Sequence, residues 1–210
     1  MKGAAEFCAD WLVDDGQGRL VTAAGNSPEI EFLYTDPAGA KRTAGIGRGP
    51  TMDLAMVRHL FAACIRASEL LDRDPEFRAE LKTKLERLLP YQVGRRGQLQ
   101  EWAEDWPERD PLHRHISHLY ALHPSNQITR RATPQLFEAA RRALELRGDE
   151  GAGWSRAWKI DFWARMEDGN HAYQGLPDNR TPPAHRAATV RERLLQGTAP
   201  LRSRLVSADT

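Results

Sequence analysis

Residues 50–90 have the sequence PTMDLAMVRHLFAACIRASELLDRDPEFRAELKTKLERLLP, in which apolar side chains recur with a period near 3.6. The first stripe consists of Met56, Val57, Leu60, Phe61, Cys64, Ile65 and Leu71. The second consists of Phe77, Leu81, Leu85 and Leu88. Thr51 is the expected N-cap, with Asp53 in the first turn, and Pro75 and Pro90 bound the second stripe. The segment predicts a helical hairpin.

Similar stripes on both sides of this hairpin predict more helices. One covers residues 4–13, one runs from Thr133 to a stop at Gly148, and one begins at Trp154 and ends at Gly169. A short strand at 30–34, followed by the turn TDPAG, interrupts the helical pattern. Paired helices with long irregular loops indicate an all-α fold, and long loops in such folds usually carry function.

The overall charge disfavours several classes of partner. The chain has 210 residues, with 30 Lys and Arg against 29 Asp and Glu, and the basic residues are scattered. We therefore expect neither nucleic acid nor a membrane as a partner. No run is apolar enough to span a bilayer, and Glu6 and Asp10 interrupt the N-terminal apolar stretch, so we expect no signal peptide and a cytoplasmic location by default. Cys8 and Cys64 are expected to be buried free thiols.

The C-terminal sequence differs from the rest. After Tyr173 it contains no aromatic residue and no lysine, and it is rich in Arg, Pro and Ala. We therefore predict one domain over residues 1–173 and a disordered tail over 174–210, which could also be the product of a shifted reading frame.

Residues 112–124, LHRHISHLYALHP, hold the main candidate site. Four histidines (His113, His115, His118 and His123) and Arg114 alternate with apolar residues, a pattern that predicts a polar wall in a buried pocket. The imidazoles could bind a metal, bond to the backbone in the core, or bind a sugar or anion together with Arg114.

Three more groups of residues are candidates for chemistry. Glu29, in GNSPEIEF, has apolar neighbours that would desolvate a general acid, although a surface glutamate is the simpler interpretation. Glu101, Trp102 and Asp105 are a combination typical of sugar sites and of helix ends alike. Lys159 and Asp161 fit an amphipathic core helix.

Five motifs in order resemble the catalytic domain of glycoside hydrolase family 95. They are SPEIEF, GPTMDLAMVRHLF, QLQEWAEDW, HRHISHLYALHP and RGDEGAGWSRAWKIDFWARMEDGNHAY. That family consists of α-L-fucosidases, which act mainly on terminal α-1,2-linked fucose and in some members on L-galactose. The resemblance implies an (α/α)6 barrel and an inverting mechanism. It also implies that Glu29 is the general acid and that Arg114 and His115 bind fucose hydroxyls.

The resemblance is incomplete on the side that activates water. The family uses an asparagine polarised by an aspartate, and neither the motif before SPE nor an FQIDGNFG-like segment is recognisable here. Ile30 also stands where relatives have asparagine. We therefore expect a fragment of an inverting α-L-fucosidase that is inactive alone. A non-catalytic helical carbohydrate-binding module and a metal-dependent hydrolase centred on the histidines are the alternatives.

The expected ligand is a fucosylated oligosaccharide, with no cofactor and no bound metal. Besides Arg114 and His115, we predict that four side chains contact the substrate. They are His113, His118, Glu101 and Trp102. Self-association through exposed apolar helix faces is also expected, because part of a barrel leaves such faces uncovered.

Overall fold

A computed structural model of the chain describes residues 1–151 and 153–176. Within these ranges the chain forms six α-helices, one 3₁₀ helix and four short strands. The α-helices are α1 (Lys2–Trp11), α2 (Thr51–Leu71), α3 (Pro75–Arg87), α4 (Pro134–Arg147), α5 (Trp154–Arg165) and α6 (Gly169–Gln174). The strands are β1 (Leu12–Asp14), β2 (Leu20–Thr22), β3 (Phe32–Thr35) and β4 (Lys41–Ala44), and the 3₁₀ helix is Ser117–Ala121. The fold is therefore helix-rich, as predicted.

The hairpin of α2 and α3 is confirmed, but the capping of α2 differs from the prediction. Helix α2 begins at Thr51, and the residue in the N-cap position is Pro50, which has no side chain to cap with. The Thr51 hydroxyl instead donates to the carbonyl of Gln100 at 2.6 Å, and the Thr51 amide donates to the carbonyl of Glu101 at 3.0 Å. The start of α2 is therefore fixed by the loop before the histidine segment.

Two antiparallel hairpins accompany the helices, and the all-α prediction did not include them. Strand β1 pairs with β2, and β3 pairs with β4 through Phe32 opposite Ala44. Strand β3 confirms the strand predicted near residues 30–34. The turn that follows is also confirmed, because the Asp36 carboxylate accepts the amides of Ala38 and Ala40 at 3.0 and 2.8 Å.

Two apolar clusters form the core, and α2 contributes to both. The first packs α1, α2 and α3 around Phe61 and Leu81. The second joins Ala55 of α2 to the 3₁₀ helix, α4 and α5. Cys64 is buried, as predicted, and Cys8 is half-buried; burial raises the pKa of both thiols. None of the helices described is long and apolar enough to cross a bilayer.

The C-terminal half confirms one predicted helix stop and corrects another. Helix α4 ends at Arg147, and Gly148 follows with a φ of 70°, as a C-terminal glycine should. Helix α5 ends at Arg165, and Gly169 does not terminate it but begins α6, where the Asp168 side chain accepts the amide of His171. The predicted disorder over 174–210 falls mainly on residues 177–210, which lie outside the described ranges.

Candidate active site

Glu29 lies on a tight turn that directs its side chain outward. The amide of Ile30 donates to the carbonyl of Ser27 at 2.9 Å, which closes a turn with Pro28 in its second position. Glu29 follows with a φ of 57°, a left-handed conformation that is uncommon for a residue with a side chain. Ile30 and Phe32 point into the core, whereas the side chain of Glu29 is 57% exposed. The exposed position agrees with the surface glutamate that was the simpler interpretation of the sequence, and the alternative of a desolvated carboxyl group is not supported.

Arg114 and His115 meet Glu29 from the histidine segment. A guanidinium N–H of Arg114 donates to Oε2 of Glu29, and Nε2 of His115 lies 3.2 Å from the same oxygen. The proposed acid and the two residues proposed to bind fucose hydroxyls thus converge on a single point. The contact depends on tertiary structure, because 85 positions separate Glu29 from Arg114.

His113 supports this group from one side. Its ring stacks on that of His115 with centroids 5.3 Å apart, and its Nδ1 accepts the backbone amide of His115 at 3.2 Å. Burial lowers the pKa of His113, and the charges of His115, Arg114 and Arg147 lower it further. We therefore expect His113 to be neutral at pH 7, with its proton on Nε2.

A cavity of about 260 Å³ lies beside Arg114 and His115. Its other lining side chains are mostly apolar or aromatic: Pro28, Met52, Ile116, Ser117, Tyr120, His123, Trp154, Ser155, Trp158 and Phe162. Drug-sized ligands occupy pockets of about 300–1,000 Å³, so this cavity suits a smaller ligand such as a monosaccharide. Polar groups at one side and aromatic faces at the other are what a sugar ring requires.

Helix α5 supplies the aromatic wall. Trp154 is 49% exposed and Trp158 is 39% exposed, and the ring centroid of Trp154 lies 4.7 Å from that of His115. The Ser155 hydroxyl donates to the backbone carbonyl of Arg114 at 2.8 Å and so fixes the histidine segment to the helix start. The helical stripe in the sequence located α5 but did not distinguish these two tryptophans from core residues.

Lys159 and Asp161 differ in their surroundings although both lie on α5. Lys159 is buried and donates to the carbonyl of Glu150, and burial lowers the pKa of its ammonium group. Asp161 is exposed, with a carboxylate oxygen 3.8 Å from Nε2 of His123. The prediction of a core helix position is therefore confirmed for Lys159.

Glu101 and His118 do not line the cavity. Both are buried, and Nδ1 of His118 is 3.4 Å from Oε1 of Glu101, an ion-pair contact without hydrogen-bond alignment. The same oxygen accepts the hydroxyl of Ser27 at 2.5 Å, and Oε2 accepts a guanidinium N–H of Arg147 at 3.0 Å. Burial alone would raise the pKa of Glu101, but the charges of His118 and Arg147 outweigh it and lower the pKa to about 2.

Trp102 is also buried. Its ring packs against Phe32 with centroids 4.8 Å apart, and Phe32 in turn stacks on Trp106 at 4.1 Å. Asp105 accepts hydrogen bonds from Gln98 and Arg95 within its own loop. A sugar contact by Glu101, Trp102 or His118 therefore stays a prediction, and the contacts that the structure gives these residues are with other side chains of the core.

Metal binding gains no support from this arrangement. In residues 1–151 and 153–176, no three His, Cys, Asp or Glu side chains converge as ligands of one ion would. His113, His115 and His118 point to different partners, which are His115, Glu29 and Glu101 respectively.

Comparison with known proteins identifies the family. The model of the glycosyl hydrolase family 95 catalytic domain matches residues 1–200. The chain is 35% identical to alpha-L-fucosidase 2 of Arabidopsis thaliana over an alignment of 175 residues. This alignment covers 83% of the chain and 20% of that protein. It is 28% identical to probable alpha-fucosidase A of Aspergillus niger over an alignment of 186 residues. This alignment covers 84% of the chain and 22% of that protein. The chain thus spans about one fifth of the length of these relatives.

Proposed function

The chain belongs to glycoside hydrolase family 95, and we propose that it is the part of an α-L-fucosidase catalytic domain that carries the general acid and the fucose-binding wall. The observation that carries this proposal is the convergence of Arg114 and His115 on Glu29 beside a cavity with aromatic walls. The proposed substrate is a glycan with terminal α-1,2-linked fucose, and the proposed domain covers residues 1–173.

In the proposed complex, fucose enters the cavity and its hydroxyl oxygens accept hydrogen bonds from Arg114 and His115. Glu29 is then released from its ion pair, because the sugar replaces it as the acceptor. Once released, the Glu29 carboxylate takes up a proton from solvent. It donates this proton to the glycosidic oxygen as the bond to the anomeric carbon breaks and water adds to that carbon from the opposite face. The strained turn at Glu29 fits this role, since strained backbone often occurs at functional sites.

The aromatic wall serves the apolar side of the sugar in this proposal. Fucose has a methyl group at C6 and a face of C–H bonds, and rings such as those of Trp154 and Trp158 pack well against such surfaces. Both rings are partly exposed towards the cavity and are held by α5, a regular helix. A rigid element positions side chains better than a loop does.

We further propose that the helices are part of an (α/α)6 barrel and that hydrolysis inverts the anomeric carbon. An inverting enzyme needs a second group on the opposite face of the sugar to activate water. The family's asparagine and aspartate for this step are not recognisable among the motifs of the chain. We therefore expect the 210-residue chain to hydrolyse fucosides at the background rate, since each acid–base group typically contributes about 10²–10⁴-fold.

Two measurements test this function. Incubation with 2′-fucosyllactose should release no fucose above background, and release at an enzymatic rate that Glu29→Gln abolishes would contradict the incomplete site. Calorimetric titration with L-fucose and D-glucose should show binding of L-fucose alone. Equal binding of both sugars by folded protein would contradict a fucose-specific wall.

A further inference from the structure

Glu101 connects three separate segments of the chain through one carboxylate. Ser27 lies just before Glu29, His118 lies in the 3₁₀ helix that follows Arg114 and His115, and Arg147 ends α4. All four side chains are more than nine-tenths buried. A buried carboxylate is strongly unfavourable without partners, so this one is retained only because its partners surround it.

The first connection controls the Glu29 turn. The Ser27 hydroxyl donates to Glu101 at 2.5 Å, and the Ser27 carbonyl accepts the amide of Ile30, which closes the turn. Ser27 therefore bonds to Ile30 at the other end of the turn through its carbonyl, and to buried Glu101 through its hydroxyl. A residue at a φ of 57° keeps that conformation only when its surroundings impose it.

The second connection reaches the segment that carries Arg114 and His115. His118 follows His115 by three positions in the chain. Its side chain is buried and contacts Glu101. Arg147 bonds the other carboxylate oxygen and brings its charge close to His113. The Glu29 turn and the histidine segment thus both contact the same buried carboxylate.

We infer that Glu101 is a positioning residue that sets the distance between Glu29 and the pair of Arg114 and His115. The inference rests on the proposed function, because that function defines what is positioned. A buried ion pair is weak evidence for a gain in stability. The contacts of Glu101 with both the Glu29 turn and the histidine segment give another reason for this buried ion pair, which is positioning of the site.

The decisive variant is Ser27→Ala, which removes one hydroxyl and leaves Glu101 in contact with His118 and bonded to Arg147. The substitution is made in the Glu29→Gln background, which removes the Glu29–Arg114 ion pair. A change in exchange in one segment then cannot reach the other through that pair. Hydrogen–deuterium exchange of the 210-residue chain is followed by mass spectrometry in three segments. They are residues 23–31, residues 112–118 and, as an internal reference, residues 55–85.

We expect exchange to become about tenfold faster in both 23–31 and 112–118, the size of one lost hydrogen bond to a charged group, and to stay unchanged in 55–85. Faster exchange in 23–31 alone, in no segment, or equally in all three would overturn the inference. This readout needs no ligand, so it decides the inference even if the chain does not bind fucose.

A matched control separates positioning from stability. Ser125 is a similarly buried serine whose hydroxyl oxygen accepts from Gln127 at 2.9 Å, and it neither touches Glu101 nor lines the cavity. With Glu29 intact, Ser27→Ala should weaken L-fucose binding about tenfold, whereas Ser125→Ala should lower the melting temperature without changing affinity. Equal loss of affinity in both variants would overturn the positioning role. Absence of fucose binding in the unmodified folded chain would instead contradict the proposed function.

Discussion

At the scale of single residues, Glu29 combines an unfavourable backbone conformation with an exposed ion pair. A left-handed conformation costs about 1–2 kcal/mol for a residue with a side chain. The pair with Arg114 is more than half exposed on both sides, and such pairs contribute about 0–1 kcal/mol. The two contributions do not favour glutamate at this position for stability, so its presence is better explained by chemistry.

This balance predicts the effect of Glu29→Asn. Asparagine adopts the left-handed conformation more readily than glutamate, which offsets the loss of the ion pair. The free energy of unfolding should therefore change by less than about 1 kcal/mol, measured by urea denaturation. A loss of more than about 2 kcal/mol would mean that the ion pair, against expectation, holds the fold together.

The lowered pKa of Glu101 predicts how the free energy of unfolding changes at acidic pH. Its pKa is lowered from 4.5 to about 2 in the folded chain. The stabilisation is therefore complete above about pH 4.5 and is lost as the pH falls through about 2, and its size is on the order of 3 kcal/mol. Urea denaturation at a series of pH values should show a shallower loss below pH 5 in Glu101→Gln than in the unmodified chain.

The control for this experiment is Asp168→Asn. Its carboxylate is partly exposed and bonded to His171 and Arg141, and its pKa is also lowered to about 2, so it acts in the same pH range. Because solvent screens this group, its removal should change the slope less than Glu101→Gln does. A larger change from Asp168→Asn would show that the buried network does not dominate acid unfolding.

Asp53 predicts a pH dependence of the opposite sign. Burial raises its pKa from 3.8 to about 6, although the Thr22 hydroxyl lies 3.5 Å away and opposes the shift. Stability is highest below about pH 3.8 and is lost as the pH rises through about 6. Asp53→Asn should therefore increase the free energy of unfolding by about 1 kcal/mol at pH 8, after allowance for solvent screening, and leave it nearly unchanged at pH 4. A larger gain at pH 4 would contradict this assignment.

At the scale of secondary-structure elements, the amphipathic helices were predictable and the contacts between them were not. The period of 3.6 in α2 and α3 is a local property, and both helices lie where the pattern predicted. Strands β1 and β2 have only three residues, and β4 has the sequence KRTA, so no alternation of apolar and polar side chains marks any of them. The cap of α2 was wrong because the groups that bond to Thr51 come from residues 100 and 101.

The candidate site shows the same limit. Sequence motifs brought out Glu29, Arg114 and His115, and the structure places all three together. Ser27 and Arg147 carried no local signal, because they meet Glu101 across 74 and 46 positions. Trp154 and Trp158 lay on the helical stripe of α5, and only the packing of that helix shows that their rings face a cavity.

The contact at the start of α2 gives an element-scale prediction. The Thr51 hydroxyl is buried and donates to the Gln100 carbonyl, so Thr51→Ala leaves a buried acceptor unpaired. The variant should lose about 1–2 kcal/mol of unfolding free energy. Thr51→Ser, which keeps the hydroxyl, should recover most of that loss in the same denaturation experiment. Equal losses in the two variants would contradict this role of the hydroxyl.

At the scale of the whole molecule, the described residues present apolar side chains to solvent on several helices. Phe7 of α1 and Leu70 and Leu71 of α2 are each about two-thirds exposed or more. We propose that such faces cause self-association of the 210-residue chain. Sedimentation velocity should show a weight-average mass that rises with concentration, and Leu70→Ser with Leu71→Ser should reduce the rise. A concentration-independent monomer would contradict this prediction.

The account as a whole depends on Arg114 and His115 as the residues that bind fucose beside Glu29. Calorimetric titration of the chain with L-fucose tests this directly, with Arg114→Ala compared with Arg42→Ala. Arg42 is a similarly exposed arginine that pairs with Asp36 at 3.0 Å on the β3–β4 hairpin, and it does not line the cavity. We predict that the chain binds L-fucose, that Arg114→Ala abolishes binding, and that Arg42→Ala leaves it unchanged. Binding that survives Arg114→Ala, or its absence in folded unmodified chain, would contradict the account.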